Sequence, residues 1–224
     1  MDTRRWERFA PLTGVLFVVL TVASIVIGTS NAPEDFPAPV EEIVEYYADD
    51  PGMIILSAWV GLLGSFFLIW FGGSVRARLR DAGEERLGTI AFGGAVAAAA
   101  MGLLIDTAHL AGALRAEEDD TIEPATATAL YDLANSTLGG GLPIAIAVFV
   151  AATGIAALRS GALPSWLGIV SLILTVLLFM PMIAWAMTGV ALLWALITSI
   201  VLFTSQPAAP AAAGAEAPGG PPSG

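Results

Sequence analysis

The chain has 224 residues, of which 56% are hydrophobic and only 13% are charged, and its mean hydropathy is +0.79. Soluble domains carry roughly 25% charged residues, so this composition excludes an ordinary soluble protein and indicates a membrane protein. The formal charge of −11 argues against a nucleic-acid partner, and the absence of cysteine excludes disulfides and cysteine-ligated metals.

Runs of apolar residues predict six transmembrane helices. Each of the first four runs is long enough for one helix of ~20 residues to cross a ~30 Å hydrocarbon core. The fifth run is too long for one crossing, so we divide it near Pro181 and Gly189, because proline and glycine interrupt helices. The predicted spans are residues 10–28, 53–74, 89–114, 138–158, 165–181 and 187–204. The sequence therefore predicts an all-α bundle of six transmembrane helices within residues 1–205.

The segment before the first span is basic, as it is in a signal peptide. The apolar stretch of a signal peptide usually holds about 7–15 residues, whereas the run at 10–28 is longer and lacks a clean cleavage pattern after it. We therefore expect an uncleaved helix.

Two loops carry short helical patterns of their own. The stretch "PAPVEEIVEYYADDPG" places Val40, Ile43, Val44 and Tyr47 on one helical face and its glutamates elsewhere, which predicts an amphipathic helix. The stretch "EPATATALYDLANSTLGGG" predicts a second such helix with a flexible joint at its three glycines. The tail from residue 206 to residue 224 is rich in proline, alanine and glycine, which predicts disorder.

These two loop segments also hint at an internal repeat. Tyr47 and Tyr131 stand roughly 84 residues apart, and each precedes a span that an arginine closes. Such spacing also arises by chance in a six-span chain, so a duplication is one of two interpretations.

The arginines predict the orientation of the chain. If the six spans alternate, eight of the nine basic residues fall on one side and only Arg115 falls on the other. Because cytoplasmic loops carry the excess of Lys and Arg, both termini are expected in the cytoplasm. The eight are Arg4, Arg5, Arg8, Arg76, Arg78, Arg80, Arg86 and Arg159.

The third predicted span carries the most informative polar residues. Gly94, Ala98, Gly102 and Asp106 recur every four residues and so form one stripe on the helix. Small residues at this spacing allow close helix packing in lipid, so the stripe should direct Asp106 into the bundle. His109, the chain's only histidine, lies one turn further on the same face.

Three interpretations of the Asp106–His109 pair remain open. In the first, the pair is structural, and Asp106 is bonded to His109 or to a neighbour such as Asn135. In the second, it is a proton- or ligand-binding site open to the outer side, since ionisable residues inside membranes are functional candidates. In the third, it belongs to a metal site completed by an outer acid such as Asp132 or Glu123. The candidate ligand- or proton-binding residues are Asp106, His109, Asp132 and Asn135. No catalytic motif is found, and we expect no metal or other cofactor.

The overall plan resembles small alanine- and glycine-rich multi-span bacterial membrane proteins of the domain-of-unknown-function type. The features that carry the resemblance are "EEIVEYYADDPG", "WFGGSVRARLR" and "LPSWLG". The resemblance implies a bacterial plasma-membrane location and no site residues.

The sequence favours a non-enzymatic integral membrane protein, either a scaffold or an accessory subunit. The alternative is a small transporter or sensor that binds a proton, a cation or a small ligand at Asp106 and His109 from the outer side. Besides the lipid bilayer, the expected partner is a second copy or another membrane protein, bound through the small-residue face of Gly94, Ala98 and Gly102.

Overall fold

The computed structural model describes residues 9–205. Within this range the chain contains eight α-helices and no β-strand. They are α1 (Thr13–Gly28), α2 (Val40–Asp49), α3 (Pro51–Asp81), α4 (Glu85–Asp119), α5 (Pro124–Ser136), α6 (Leu142–Ser160), α7 (Ser165–Leu178) and α8 (Ala184–Thr204). The predicted disorder of residues 206–224 and the placement of Arg4, Arg5 and Arg8 fall outside the described residues.

The helices confirm a polytopic all-α membrane protein. Five segments are long and apolar enough to cross a membrane: Ala10–Gly28, Pro51–Asp81, Glu85–Asp119, Pro124–Ser160 and Ala184–Thr204. They correspond to the predicted spans at 10–28, 53–74, 89–114, 138–158 and 187–204. A turn of 3-10 helix, Ala10–Leu12, extends α1, and a π-helical turn, Thr137–Gly141, joins α5 to α6.

The predicted fifth span is shorter than expected, which corrects the count of six full-length crossings. Helix α7 has 14 residues, or about 21 Å at 1.5 Å per residue, less than the ~30 Å core. Pro181 disfavours helical geometry at the residue before it, and the chain leaves the helix after Leu178. Gly189, the other residue at which we divided the run, lies inside α8.

Six helices form a closed ring in the order α1, α3, α4, α6, α7 and α8. The centre of the ring is filled by apolar side chains, among them Phe71, Phe149 and Trp194. Polar side chains inside the ring form hydrogen bonds within the chain. The hydroxyl of Ser171 accepts from the indole Nε1 of Trp194 at 2.9 Å, and the hydroxyl of Thr153 donates to the carbonyl of Phe149 at 2.8 Å. Because water is absent from the hydrocarbon core, such internal bonds satisfy the polar groups there.

Small residues allow the helix backbones to approach closely. A Cβ added at Gly94 would lie 2.5 Å from the backbone nitrogen of Phe149, so α4 and α6 meet backbone to backbone. A Cβ at Gly154 would lie 3.1 Å from the carbonyl oxygen of Gly168, which brings α6 equally close to α7. Packing of this kind is the main attraction between helices in lipid.

One end of the bundle is rich in arginine. Arg159, at the end of α6, pairs with Glu84 at 3.1 Å, and Nε of Arg78 donates to the carbonyl of Ala162 at 3.1 Å. The first contact joins the end of α6 to the α3–α4 turn, and the second joins the end of α3 to the α6–α7 turn. Five of the arginines that we assigned to the inner side are therefore found at the same end: Arg76, Arg78, Arg80, Arg86 and Arg159.

The opposite end carries a second, smaller apolar core, which we call the outer cap after the predicted orientation. The predicted amphipathic helix at this end is confirmed as α2, and it packs against α5 and the outer part of α4. The buried members of the outer cap are Ile43, Tyr46, Tyr47, Ile54, Ala113, Ala116, Ile122, Ala127 and Tyr131. The two outer segments therefore form one packed unit above the bundle.

Candidate functional site

Asp106 lies in the interface between α3 and α4. The two helices run antiparallel, with Gly72 opposite Ala95 and Ser65 opposite Gly102. The next contact in this register places the carboxylate of Asp106 over Gly61, where an added Cβ would lie 2.5 Å from Oδ2. The absence of a side chain at Gly61 therefore provides the space that the carboxylate occupies.

The carboxylate of Asp106 has no hydrogen-bonding partner among residues 9–205. Neither side chain that we expected to bond it does so. Nδ1 of His109 pairs with the hydroxyl of Tyr47 at 3.2 Å, and the amide of Asn135 donates to the backbone carbonyl of Tyr131 at 3.0 Å. Asp106 is half-buried, so a carboxylate lies partly sheltered in an apolar span without a polar group of this part of the chain to compensate it.

The depth of Asp106 in the membrane follows from the position of Gly61, the residue of α3 that it packs against. Gly61 precedes Arg76 by roughly 22 Å along the helix axis, at 1.5 Å per residue. If Arg76 lies at the inner surface of a ~30 Å core, then Asp106 lies in the outer part of the core, below the outer cap. A carboxylate at this depth is costly to ionise and is a functional candidate by default.

His109 is surrounded by all three tyrosines of the chain. Its ring centroid lies 5.9 Å from that of Tyr46, 6.1 Å from that of Tyr47 and 6.2 Å from that of Tyr131. Tyr46 and Tyr47 come from α2, and Tyr131 comes from α5. We call these four residues the aromatic cluster, and it connects α2 and α5 to the outer part of α4.

Tyr47 is fully buried, and its position depends on a glycine. A Cβ added at Gly112 would lie 2.5 Å from Cε1 and 2.7 Å from Cζ of the Tyr47 ring. Gly112 follows His109 by three residues, so the two lie on one face of α4. Together they form the binding position of Tyr47, which we call its seat: Gly112 contacts the ring, and His109 contacts the hydroxyl.

Tyr46 lies between His109 and a cavity at the same end of the bundle. The cavity has a volume of about 320 Å³, and its lining includes Tyr46 together with Glu42, Glu45 and Asp49. On its other side Tyr46 contacts His109, and its hydroxyl donates to the carbonyl of Gly28 at 3.2 Å. Burial raises the pKa of Tyr46 and of Tyr47 far above the ordinary value of tyrosine, so both hydroxyls stay neutral.

The structure does not gather all four predicted site residues. Asp106 and His109 lie on one face of α4, whereas Asn135 is engaged with its own helix. Asp132, half-buried on α5, forms no side-chain hydrogen bond among the described residues. No group of three metal-ligating histidine or acidic side chains occurs within residues 9–205, so nothing there supports the metal interpretation.

The small-residue face that we expected to bind a partner is occupied inside the chain. Gly94 packs on α6, Gly102 packs on Ser65 of α3, and Ala98 is buried between them. The reason is that small residues allow close helix packing in lipid, and here they pack α4 against α3 and α6 of the same chain. The expectation that Gly94, Ala98 and Gly102 bind a partner helix is therefore wrong for these three residues, and a partner at another surface stays a prediction.

The three tyrosines are the site residues that sequence reasoning did not select. Tyr47 and Tyr131 stand at equivalent positions of the weak repeat, but nothing in their spacing shows that both reach His109. The signal that could have pointed to them is composition. The chain has one histidine and three tyrosines, and all four lie in the outer segments or toward the end of α4.

Comparison of the chain with protein-family models, with curated proteins and with solved structures finds no match. The resemblance to small bacterial membrane proteins therefore stays a prediction.

Proposed function

We propose that this chain is a small transporter or sensor of a bacterial plasma membrane, with both termini in the cytoplasm, that binds and releases a proton at Asp106 from the outer side. A proton is the simplest occupant of a lone carboxylate. A small cation at the same carboxylate is the other form of this proposal.

The observation that carries the proposal is the carboxylate of Asp106, which has no hydrogen-bonding partner in the part of the chain that the structure describes. A structural aspartate in an apolar span is expected to be bonded by its neighbours. Here the neighbour is the bare backbone at Gly61, and the two side chains that we expected to bond Asp106 are engaged elsewhere. When Asp106 gains or loses a proton, the charge in the interface between α3 and α4 changes, and this change alters the contact between the two helices.

The orientation is supported by the charges at the two ends of the bundle. The arginine-rich end, with Arg78 and Arg159, corresponds to the cytoplasmic side under the positive-inside rule. The end with the outer cap then faces outward. Asp106 lies nearer to this end, so exchange with the outer side is the shorter route.

A scaffold or accessory subunit is the second candidate, and one observation favours it. The lipid-facing side of α4 carries small residues, among them Gly93, Ala97 and Ala100, and a Cβ added at Gly93 would meet nothing within 4 Å. Contact with lipid alone does not require small residues, whereas a partner helix does. Under this proposal Asp106 has no role in proton exchange.

Infrared difference spectroscopy on the protein in lipid separates the two proposals. A protonated carboxyl group has a C=O stretching band, and the proposal predicts such a band that titrates with external pH and is lost in Asp106→Asn. The matched control is Asp132→Asn, which removes a half-buried outer aspartate and should leave the band in place. If no titrating band is specific to Asp106, the proton proposal is overturned and the scaffold is favoured.

A further inference from the structure

We propose that α2 is a lid over the outer approach to Asp106, and that the Tyr47–His109 contact is the latch that holds it closed. The purpose of the lid depends on the proposed function, since it would regulate when the carboxylate meets outer water. Its existence as a moving element is a separate question and has a separate test.

The chain provides a hinge at one end of α2. Helix α2 ends at Asp49 and helix α3 begins at Pro51, so Asp50 alone joins them, in a non-helical conformation with φ −142° and ψ 70°. The carboxylate of Asp50 accepts from the backbone nitrogen of Met53 at 3.1 Å and caps α3. Rotation about the N–Cα bond of this residue changes the angle between α2 and α3 while α3 keeps its cap.

The other end of α2 permits the movement. Residues 29–39, between α1 and α2, contain no helix or strand. A non-helical segment of this length can follow a rotation of α2 without displacing α1. Two polar contacts restrain α2 on this side. The Tyr46 hydroxyl donates to the Gly28 carbonyl at 3.2 Å, and the side-chain amide of Asn31 donates to the carboxylate of Asp49 at 3.0 Å.

The latch consists of one polar contact and one fitted ring. The Tyr47 hydroxyl meets Nδ1 of His109 at 3.2 Å, and the ring rests on Gly112, where no side chain intervenes. His109 lies one turn outward of Asp106 on α4. When Tyr47 leaves its seat, the face of α4 that leads to Asp106 is uncovered.

Packing, and not charge, holds the lid closed. The buried side of α2 presents Ile43 and Tyr47, both fully buried. The charged residues of α2 are all acids, and the ion pairs found among the described residues all lie at the arginine-rich end. The closed state therefore depends on how well the Tyr47 ring fits, which makes the fit the point to perturb.

The absence of cysteine from the chain makes the lid directly testable by thiol labelling. Ala113→Cys places a reporter on α4 at a position with 0% exposure, inside the outer cap. Ala116→Cys, at 2% exposure, is the second reporter in case the first does not fold. A membrane-impermeant maleimide is added from the outer side to the full chain in lipid, and the labelling rate is measured against Glu117→Cys, an exposed reference.

Two variants weaken the latch in different ways. Tyr47→Phe removes the hydroxyl, and Gly112→Ala forces the ring from its seat. We expect both to increase the labelling rate of the reporter at least several-fold. The matched control is Gly93→Ala on the same helix, where an added Cβ meets nothing, and it should leave the rate unchanged.

A reporter at Ala95, fully buried in the main bundle, identifies general unfolding. The lid proposal requires that Ala95→Cys stays unlabelled in both latch variants. Unchanged labelling of the cap reporters in both variants, or equal acceleration at Ala95, overturns the lid. Either result leaves the infrared test of Asp106 untouched, so the two proposals fail separately.

Discussion

The hydroxyl of Tyr47 lies 3.2 Å from Nδ1 of His109, and this contact joins the outer helix α2 to the long helix α4. It uses the one histidine of the chain to position the outer cap. Asp106, one turn below, is left without that histidine as a partner.

A double-mutant cycle measures this contact. Tyr47→Phe and His109→Ala should each lower the free energy of unfolding in detergent, and the double variant should lose less than the sum of the two. We expect a coupling energy of about 1 kcal/mol, the usual net value of a hydrogen bond. Strictly additive losses would show that the two groups do not interact.

Substitution of Gly61 tests where the carboxylate of Asp106 lies. In Gly61→Ala the new methyl group would meet Oδ2 at 2.5 Å, and the carboxylate must rotate away. The expected loss of stability is about 1 kcal/mol, at the low end for overpacking, because the end of a side chain can move. The additional change Asp106→Ala removes the obstacle and should recover most of the loss.

Two other glycines calibrate that result. Gly73→Ala, on the same helix, meets nothing within 4 Å and should be neutral or stabilising, because alanine is the better helix former. Gly94→Ala meets the backbone of Phe149 at 2.5 Å and should cost more than Gly61→Ala. A loss at Gly73 equal to that at Gly61 would contradict the assigned interface.

The beginning of α5 should depend on pH through Glu123. The backbone N–H of Thr126 donates to this carboxylate at 2.8 Å and holds its pKa below the ordinary value. Because the folded pKa is the lower one, the stabilisation is present above the ordinary value and is lost as the pH falls through the folded value. Hydrogen exchange at Thr126 should therefore accelerate relative to neighbouring amides in acid. Glu123→Gln should remove this dependence, whereas Glu118→Gln should retain it.

The outer cap should be sensitive to alkali. Burial raises the pKa of Tyr46 and Tyr47, so the unfolded state loses these protons first. Their contribution to stability is complete below the ordinary value of 10.0 and declines as the pH rises above it. In Tyr131→Phe, where only these two tyrosines remain, tyrosinate absorbance should rise together with loss of helix. Ionisation well before any unfolding would mean that the two rings are not buried.

The sequence was sufficient for the class of the protein because apolar runs and arginine positions each carry a direct physical meaning. Five spans agree with helices, and the short α7 differs because Pro181 ends the helix before the run of apolar residues ends. The amphipathic helix at residues 40–49 was also predictable, since its apolar face repeats with helical period.

The site could be predicted only in part. The stripe through Gly102 does direct Asp106 toward α3, as local spacing indicated. The pairing of His109 with Tyr47 could not be read from the sequence, because it joins residues from two distant segments whose docking is set by packing. The same limit explains the expected oligomer face, since a small-residue stripe does not reveal whose helix will cover it.

The position of Asp106 against α3 can be measured most directly by cross-linking. A Cβ at residue 102 lies 3.9 Å from the Cβ of Ser65, close to the value of about 3.8 Å found in disulfides. In this cysteine-free chain, the pair Ser65→Cys and Gly102→Cys should form an intramolecular disulfide on mild oxidation in the membrane. Ser65→Cys with Leu104→Cys, on the exposed side of α4, should not. A cross-link through Leu104 instead of Gly102 would place Asp106 away from Gly61 and contradict the account.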